Sequence, residues 1–224
     1  MPRDREDKRK ILLVDDHPIV REGLVELILR RKDLVVCGVT GDGHEAFELV
    51  RRLKPDLAVI DIALNGVSGI ELVKALKLEA PQLRLLVLSM YDEGLYAERA
   101  LRAGALDYIM KQEASELILK AIDSALKGEI YLSDRMKEKL LHHLVEAPAG
   151  KEGFSVDRLS DRELEVFQLI GNGFTTRQIA ERLHLSVKTI ESYRESLKQK
   201  LRFKHGAELV QHAIRWARSE IPMM

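Results

Sequence analysis

Between residues 10 and 127 the chain alternates between two patterns. Short, mostly apolar runs occur at Ile11–Val14, Val35–Val39, Leu57–Ile60, Leu83–Leu88 (interrupted by Arg84) and Tyr108–Met110. Between them lie stretches whose apolar residues recur at three- and four-residue spacing: Pro18–Arg31, Gly43–Leu53, Ile70–Leu78, Tyr96–Ala103 and Ser115–Leu126. The first pattern predicts strands and the second helices. Pro55 and Pro81 end helices, Gly66–Gly69 makes a turn, and Gly104 and Gly128 close the last two helices. Strands that are apolar throughout belong to a parallel sheet covered on both faces. The expected fold is therefore α/β, a doubly wound five-stranded parallel sheet.

Beyond Gly128 the pattern changes. Asp134–Val145 reads as a linker helix, and Glu146–Phe154, with Pro148, Gly150 and Gly153, as a flexible joint. An all-α segment follows. Ser160-Asp161-Arg162-Glu163 and Thr175-Thr176-Arg177-Gln178 are capping boxes, in which a hydroxyl and a carboxylate or amide satisfy free backbone donors. Ser186 caps a third helix over Val187–Leu201, and a fourth spans His205–Ser219. The short helix Thr176–Leu183, the turn at His184-Leu185 and the longer helix make a helix-turn-helix pattern. The predicted division is a charged tail over 1–9, an α/β domain over 10–128, a linker over 129–156 and a four-helix domain over 157–224.

Net charge is zero over 224 residues, so no global signal points to nucleic acid. The local signal differs: Phe174–Arg218 carries 10 Lys/Arg against 4 Asp/Glu. The one cysteine, Cys37, excludes an internal disulfide and reads as a small buried side chain. The N-terminus lacks an apolar signal core, and no apolar run approaches the ~20 residues that cross a bilayer. A cytoplasmic protein without a membrane partner is expected.

In doubly wound folds the functional groove lies at the carboxyl ends of the strands. The polar residues just past those ends are Asp15, Asp16, Asp61, Ser89 and Lys111. Three carboxylates gathered there need a cation, and an all-oxygen set suits a hard ion such as Mg²⁺. With a lysine opposite, such a site suits phosphoryl transfer onto a carboxylate. Ser89 can hydrogen-bond the phosphoryl oxygens and Lys111 can pair with them.

Asp15-Asp16-His17, Asp61, Ser89, Ala103-Gly104-Ala105, Tyr108 and Lys111 together resemble the receiver domain of response regulators, a flavodoxin-like fold. Leu159–Val166, Gly173-Phe174-Thr175, Ile179–Leu183 and Ser186–Tyr193 resemble the LuxR-type helix-turn-helix. In this order they resemble the NarL/FixJ layout over almost the whole chain. The resemblance implies that Asp61 is the phosphoacceptor. It implies a metal held directly by Asp16 and Asp61, with Asp15 assisting through water and the backbone carbonyl of Ala63 as a further ligand. Ser89 becomes the switch hydroxyl, Lys111 the phosphate-binding lysine and Tyr108 the aromatic that changes rotamer. His17 is expected beside the acids and not on the metal. The implied partners are a sensor histidine kinase, double-stranded DNA and, once phosphorylated, a second copy of the chain.

On the third helix Ile190, Tyr193, Leu197 and Leu201 share the core face. Lys188, Glu191, Ser192, Glu195 and Gln199 fall on other faces, near the major groove if the family docking holds. Arg194, Lys198 and Lys200, with Thr176 and Arg177, are placed for phosphates, and the two lysines have no evident need within their helix. Glu191, where relatives often carry lysine, reads either as a cytosine reader or as a solvated or ion-paired helix charge. The family's Met-Pro after the acceptor is Leu64-Asn65 here, and its Asp after the lysine is Gln112. The stripe Ala207, Val210, Ala213, Ile214 and Ala217, with Trp216 nearby, serves either dimerisation or packing within the domain. Two rivals remain. A phosphatase with an Asp nucleophile commonly needs a second acid two residues on, where Ala63 stands. A regulator that never uses phosphate and acts through protein contacts would not need Asp16, Asp61 and Lys111 together.

Overall fold

A computed structural model describes residues 8–64, 67–133, 136–138 and 156–220. The chain divides into two compact units, Met1–Ala147 and Pro148–Met224.

In the first unit β1 (Arg9–Val14), β2 (Leu34–Thr40), β3 (Leu57–Asp61), β4 (Arg84–Ser89) and β5 (Asp107–Met110) form one parallel sheet in the order β2-β1-β3-β4-β5. The helices α1 (Pro18–Leu29), α2 (Gly43–Leu53), α3 (Gly69–Glu79), α4 (Glu93–Ala103) and α5 (Ala114–Lys127) alternate with the strands. Every residue of β3 is buried, as its apolar run predicts for a central strand. One core joins Ile11, Leu13, Val59 and Leu88 of the sheet to Leu24 and Ile28 of α1 and Ile118 and Ile122 of α5. The strand order reverses direction between β1 and β3, and in such sheets the crevice opens at that point.

Boundaries differ from the expected ones where a cap decides them. α4 starts three residues early, because Asp92 accepts the Gly94 amide at 2.8 Å and begins the helix before its apolar stripe does. α1 stops at Leu29 and not at Arg31, whose guanidinium turns away to Asp33 and Asp123. α2 ends as predicted, with Lys54 in the left-handed region ahead of Pro55. Gly69 has a steric task. A Cβ there would lie 1.9 Å from the Asp61 carbonyl oxygen, so only glycine lets α3 begin against the end of β3. Cys37 is half-buried rather than buried, since β2 is an edge strand; its thiol donates to the Ile11 carbonyl at 3.4 Å, and burial raises its pKa.

The linker helix expected over Asp134–Val145 lies outside the described residues except at 136–138, which are helical. The joint over Glu146–Phe154 lies outside them entirely, as do Asn65 and Gly66 of the turn after β3.

The second unit holds α6 (Asp161–Gly171), α7 (Thr176–Arg182), α8 (Val187–Lys200) and α9 (Gly206–Glu220). Both predicted capping boxes form, at Ser160/Glu163 and at Thr175/Gln178. Ser186 caps α8 by accepting the Thr189 amide at 3.0 Å. Ile190 and Leu197 of α8 are buried and Tyr193 is half-buried, so the core face runs as its spacing predicts. On α9 Leu209, Ala213 and Ala217 are buried and Trp216 lies 5.3 Å from Phe167, while Val210 and Ile214 are half-buried and Ala207 is exposed. Part of the predicted stripe therefore packs within the unit. Among the described residues no helix is long and apolar enough to cross a membrane.

Candidate functional site

Asp61 is the last residue of β3 and Asp15 and Asp16 follow β1, so the two neighbouring central strands deliver three carboxylates to one place. Asp15 and Asp61 are each 2% exposed and Asp16 is half-buried. Lys111, just past β5, crosses the crevice. Its Nζ lies 2.7 Å from Asp15 Oδ2 and 2.7 Å from Asp61 Oδ2. The Ala63 amide donates to Asp61 Oδ1 at 3.2 Å.

The electrostatics follow from burial. Desolvation raises the Asp61 carboxyl to about 7, with Lys111 pulling it down and Asp15 pushing it up. Burial works against the Lys111 charge, but Asp61 and Asp15 outweigh it and the lysine pKa rises. The pocket thus holds more acid than one lysine balances.

His17 leans over the acids. Its Nδ1 lies 2.6 Å from Asp16 Oδ1 and 3.3 Å from Asp15 Oδ1, and its amide donates to Asp15 Oδ1 at 2.8 Å. Asp15, Asp16, His17 and Asp61 each bring one possible ligand atom within 4.8 Å of the others. Asp15 Oδ2 and Asp16 Oδ1 are buried, the first facing Lys111 Nζ and the second the His17 ring. Oxygens of this kind are what a hard cation coordinates, so the residue set fits one. The position of His17 matches its expected place beside the acids.

Ser89 ends β4 and is buried; its Oγ accepts the Tyr91 amide at 3.1 Å. Tyr108 of β5 is also buried, and its hydroxyl donates to the Tyr91 carbonyl at 2.7 Å. Burial raises the Tyr108 pKa, opposed by a hydrogen bond with Ser89. Ser89 and Tyr108 are therefore linked directly and through Tyr91. Arg21, one turn into α1, donates to the Asp15 carbonyl. Sequence reasoning missed it, because its position relative to the loop depends on how α1 leaves β1.

In the second unit α8 presents Lys188, Glu191, Ser192, Glu195 and Lys200 exposed and Arg194 and Lys198 half-buried; on α7 Arg177 is exposed and Thr176 half-buried. Burial lowers the Arg194 pKa. Glu191 has no ion pair among the described residues, which leaves it a solvated charge in the free chain. The expectation that the two lysines have no need within their helix is corrected for Lys198, whereas the partner of Lys200 lies on another helix. Lys198 pairs with Glu195 at 2.6 Å, one turn back on the same helix. Lys200 reaches Glu163 at 2.6 Å, because α8 packs its last turn against the start of α6, a tertiary contact that helical spacing does not show. Glu163 also accepts from Ser196 at 2.6 Å and from the Ser160 amide at 2.7 Å. Burial would raise its carboxyl, but these donors win and hold it at about 2. Buried Arg162 pairs with Glu165 at 2.6 Å and donates to the Leu183 carbonyl at 3.3 Å, tying α6 to the end of α7.

Two family profiles match, "Response regulator receiver domain" over residues 11–123 and "Bacterial regulatory proteins, luxR family" over residues 157–213. The oxygen regulatory protein NreC of Staphylococcus carnosus is 33% identical over 212 residues, covering 92% of this chain and 97% of that protein. The RcsB response regulator of Salmonella typhimurium superposes with TM-score 0.66 at 25% identity, covering 93% and 98% of the two chains. Salmonella enterica RcsB bound to the P1flhDC promoter with the phosphomimetic BeF₃⁻ gives TM-score 0.63 at 27% identity over 92% and 98%. With its acid–lysine crevice in one unit and its helix-turn-helix in the other, the chain belongs to the NarL/FixJ family of two-component response regulators, which join a receiver domain to a LuxR-type DNA-binding domain.

Proposed function

We propose that Asp61 accepts a phosphoryl group from the phosphohistidine of a sensor histidine kinase, and that this acylphosphate controls dimerisation and DNA binding. A carboxylate oxygen of Asp61 forms the new bond to phosphorus as the P–N bond to the imidazole breaks, and the imidazole departs with the electron pair. The observation that carries this reading is the single lysine 2.7 Å from both Asp15 and Asp61, where three strand ends converge. Asp15, Asp16, Asp61 and the Ala63 carbonyl are the residues to hold Mg²⁺; when bound, the ion supplies positive charge against the transferring oxygens. Lys111 is positioned to release its carboxylates and pair with a phosphoryl oxygen. The Ser89 hydroxyl turns to another phosphoryl oxygen, leaving the Tyr91 amide and freeing Tyr108 to move.

The receiver function is assigned to residues 10–128, the linker to 129–156 and the DNA-binding function to 157–224. The DNA is double-stranded, with α8 in the major groove. Lys188, Glu191, Ser192 and Glu195 face base edges, while Thr176, Arg177, Arg194, Lys198 and Lys200 serve phosphates. The promoter complexes of Salmonella RcsB support this reading. A homodimer places two such helices on half-sites one helical turn apart, and half-buried Val210 and Ile214 of α9 offer it an apolar face. Such a regulator works in the cytoplasm.

Incubation with a small phosphodonor and Mg²⁺ tests the assignment. Label should enter the unaltered chain and be released by hydroxylamine, as an acylphosphate requires. Asp61→Asn should take up none. Equal labelling of that variant refutes the acceptor assignment.

A further inference from the structure

Asp15 and Asp16 stand on the loop between β1 and α1, and the held position of that loop has an identifiable cause. On its amide side Asp15 is fixed to the end of β2, donating to the Thr40 carbonyl at 3.0 Å. On its carbonyl side the acceptor is taken by Nη1 of Arg21. Arg21 belongs to the first turn of α1, its own amide donating to the His17 carbonyl at 3.2 Å, so its side chain folds back over the loop that launches the helix. The path of the guanidinium is bounded by Gly41. A Cβ at residue 41 would lie 3.1 Å from Arg21 Nη1, 3.3 Å from the Asp15 carbonyl oxygen and 3.3 Å from the Asp16 Cα. A Cβ there would crowd both the guanidinium and the loop backbone, which would have to give by a few tenths of an ångström.

We infer that Arg21 and Gly41 form a lock that fixes the β1–α1 loop where Asp15 and Asp16 can share a divalent cation. Both are positioning residues that touch neither the cation nor the phosphoryl group. The inference rests on the proposed cation site. Two effects compete. The positive charge of Arg21 disfavours a nearby cation, whereas its hydrogen bond presets the carboxylates that bind it. Residues that orient metal ligands commonly contribute about 10–100-fold to affinity, and a partly solvated charge acting at a distance contributes less. Geometry should therefore decide the sign.

The test uses the full chain and Mg²⁺ alone, titrated while the amide resonances of Asp16 and Ala63 are followed, with melting temperatures taken without Mg²⁺. Arg21→Ala and Gly41→Ala should each weaken Mg²⁺ binding by about tenfold or more. Their Mg²⁺-free melting temperatures should stay close to that of the unaltered chain. Arg21→Lys, which keeps a donor and the charge, should lose less and carries the test if Arg21→Ala does not fold. Equal or tighter binding by Arg21→Ala, or unchanged binding by Gly41→Ala, overturns the lock. Failure of the unaltered chain to bind Mg²⁺ overturns the cation site itself, and the lock with it.

Discussion

At the scale of single residues, burial sets the chemistry. Asp61 and Asp107 are both buried carboxyls, and burial raises each to about 7. Asp61 has Lys111 opposite it. Asp107 has only the Tyr108 amide to lower its pKa, faces the charge of Glu93, and keeps its buried Oδ2 without a hydrogen bond among the described residues. Its folded pKa lies above that of the unfolded chain, so the folded state binds more protons between about pH 4 and 7 and stability falls as pH rises through that window. Asp107→Asn keeps an acceptor for the Tyr108 amide and removes the buried charge. The variant should match the parent near pH 4 and exceed it by about 1–3 kcal/mol at pH 8, read from denaturant unfolding at both values. A constant difference across that range would show that Asp107 does not titrate there. Ser89→Ala poses a different question, since it leaves Asp61 and Lys111 in place. It should be labelled nearly as well as the parent yet gain little DNA affinity on phosphorylation, measured by fluorescence titration. Normal activation would break the proposed link between Ser89 and Tyr108 while leaving the acceptor assignment standing.

At the scale of elements, one carboxylate joins two helices. Glu163 closes the capping box of α6 and also receives Ser196 and Lys200 from α8. Its folded pKa of about 2 lies below the ordinary value of 4.5, so the stability it contributes is present above about pH 4.5 and lost as pH falls through about 2. Glu163→Gln retains an acceptor for the Ser160 amide but not the charge. It should destabilise the second unit by about 1–2 kcal/mol at pH 7. The gap between variant and parent should close as pH falls from 4.5 towards 2, which chemical unfolding at several acid pH values measures. The capping boxes themselves were legible from Ser160, Glu163, Thr175 and Gln178, because capping is local and its partners sit three residues apart. The reach of Glu163 to α8 was not, for its partners lie 33 and 37 residues away. The early start of α4 was missed for a smaller reason: Asp92 was a readable cap, but it precedes a stretch without an apolar stripe.

At the scale of the whole molecule, affinity for DNA is a sum over charges that the fold has already partly committed. Lys198→Ala should weaken binding to cognate and scrambled duplexes alike. It should also reduce the slope of log affinity against log salt by ~0.9 for each phosphate left without its lysine. Because Lys198 holds Glu195, its removal also leaves an uncompensated acid on α8, which weakens binding further. Glu191 has no ion pair among the described residues. Glu191→Ala should strengthen binding to random DNA while losing ~1–3 kcal/mol of discrimination at one base pair of the cognate site. Titrations of both variants on both duplexes over a range of salt decide the matter; an equal shift on both duplexes for Glu191→Ala reduces that residue to a solvated charge.

The sequence by itself determined the alternation of buried strands with amphipathic helices, the caps, the helix-turn-helix and the acids, hydroxyl and lysine past the strand ends. Each of these is written in local spacing, in residues one to four apart or in the sharp end of an apolar run. Only the tertiary structure decided which groups meet. It laid β1 beside β3 so that Asp15 and Asp61 share Lys111, brought Arg21 back onto the Asp15 carbonyl past a bare Gly41, and gave Lys200 to Glu163. Those pairings join segments far apart in the chain, and their geometry depends on sheet register and helix packing. No periodicity along the chain encodes a distance across it.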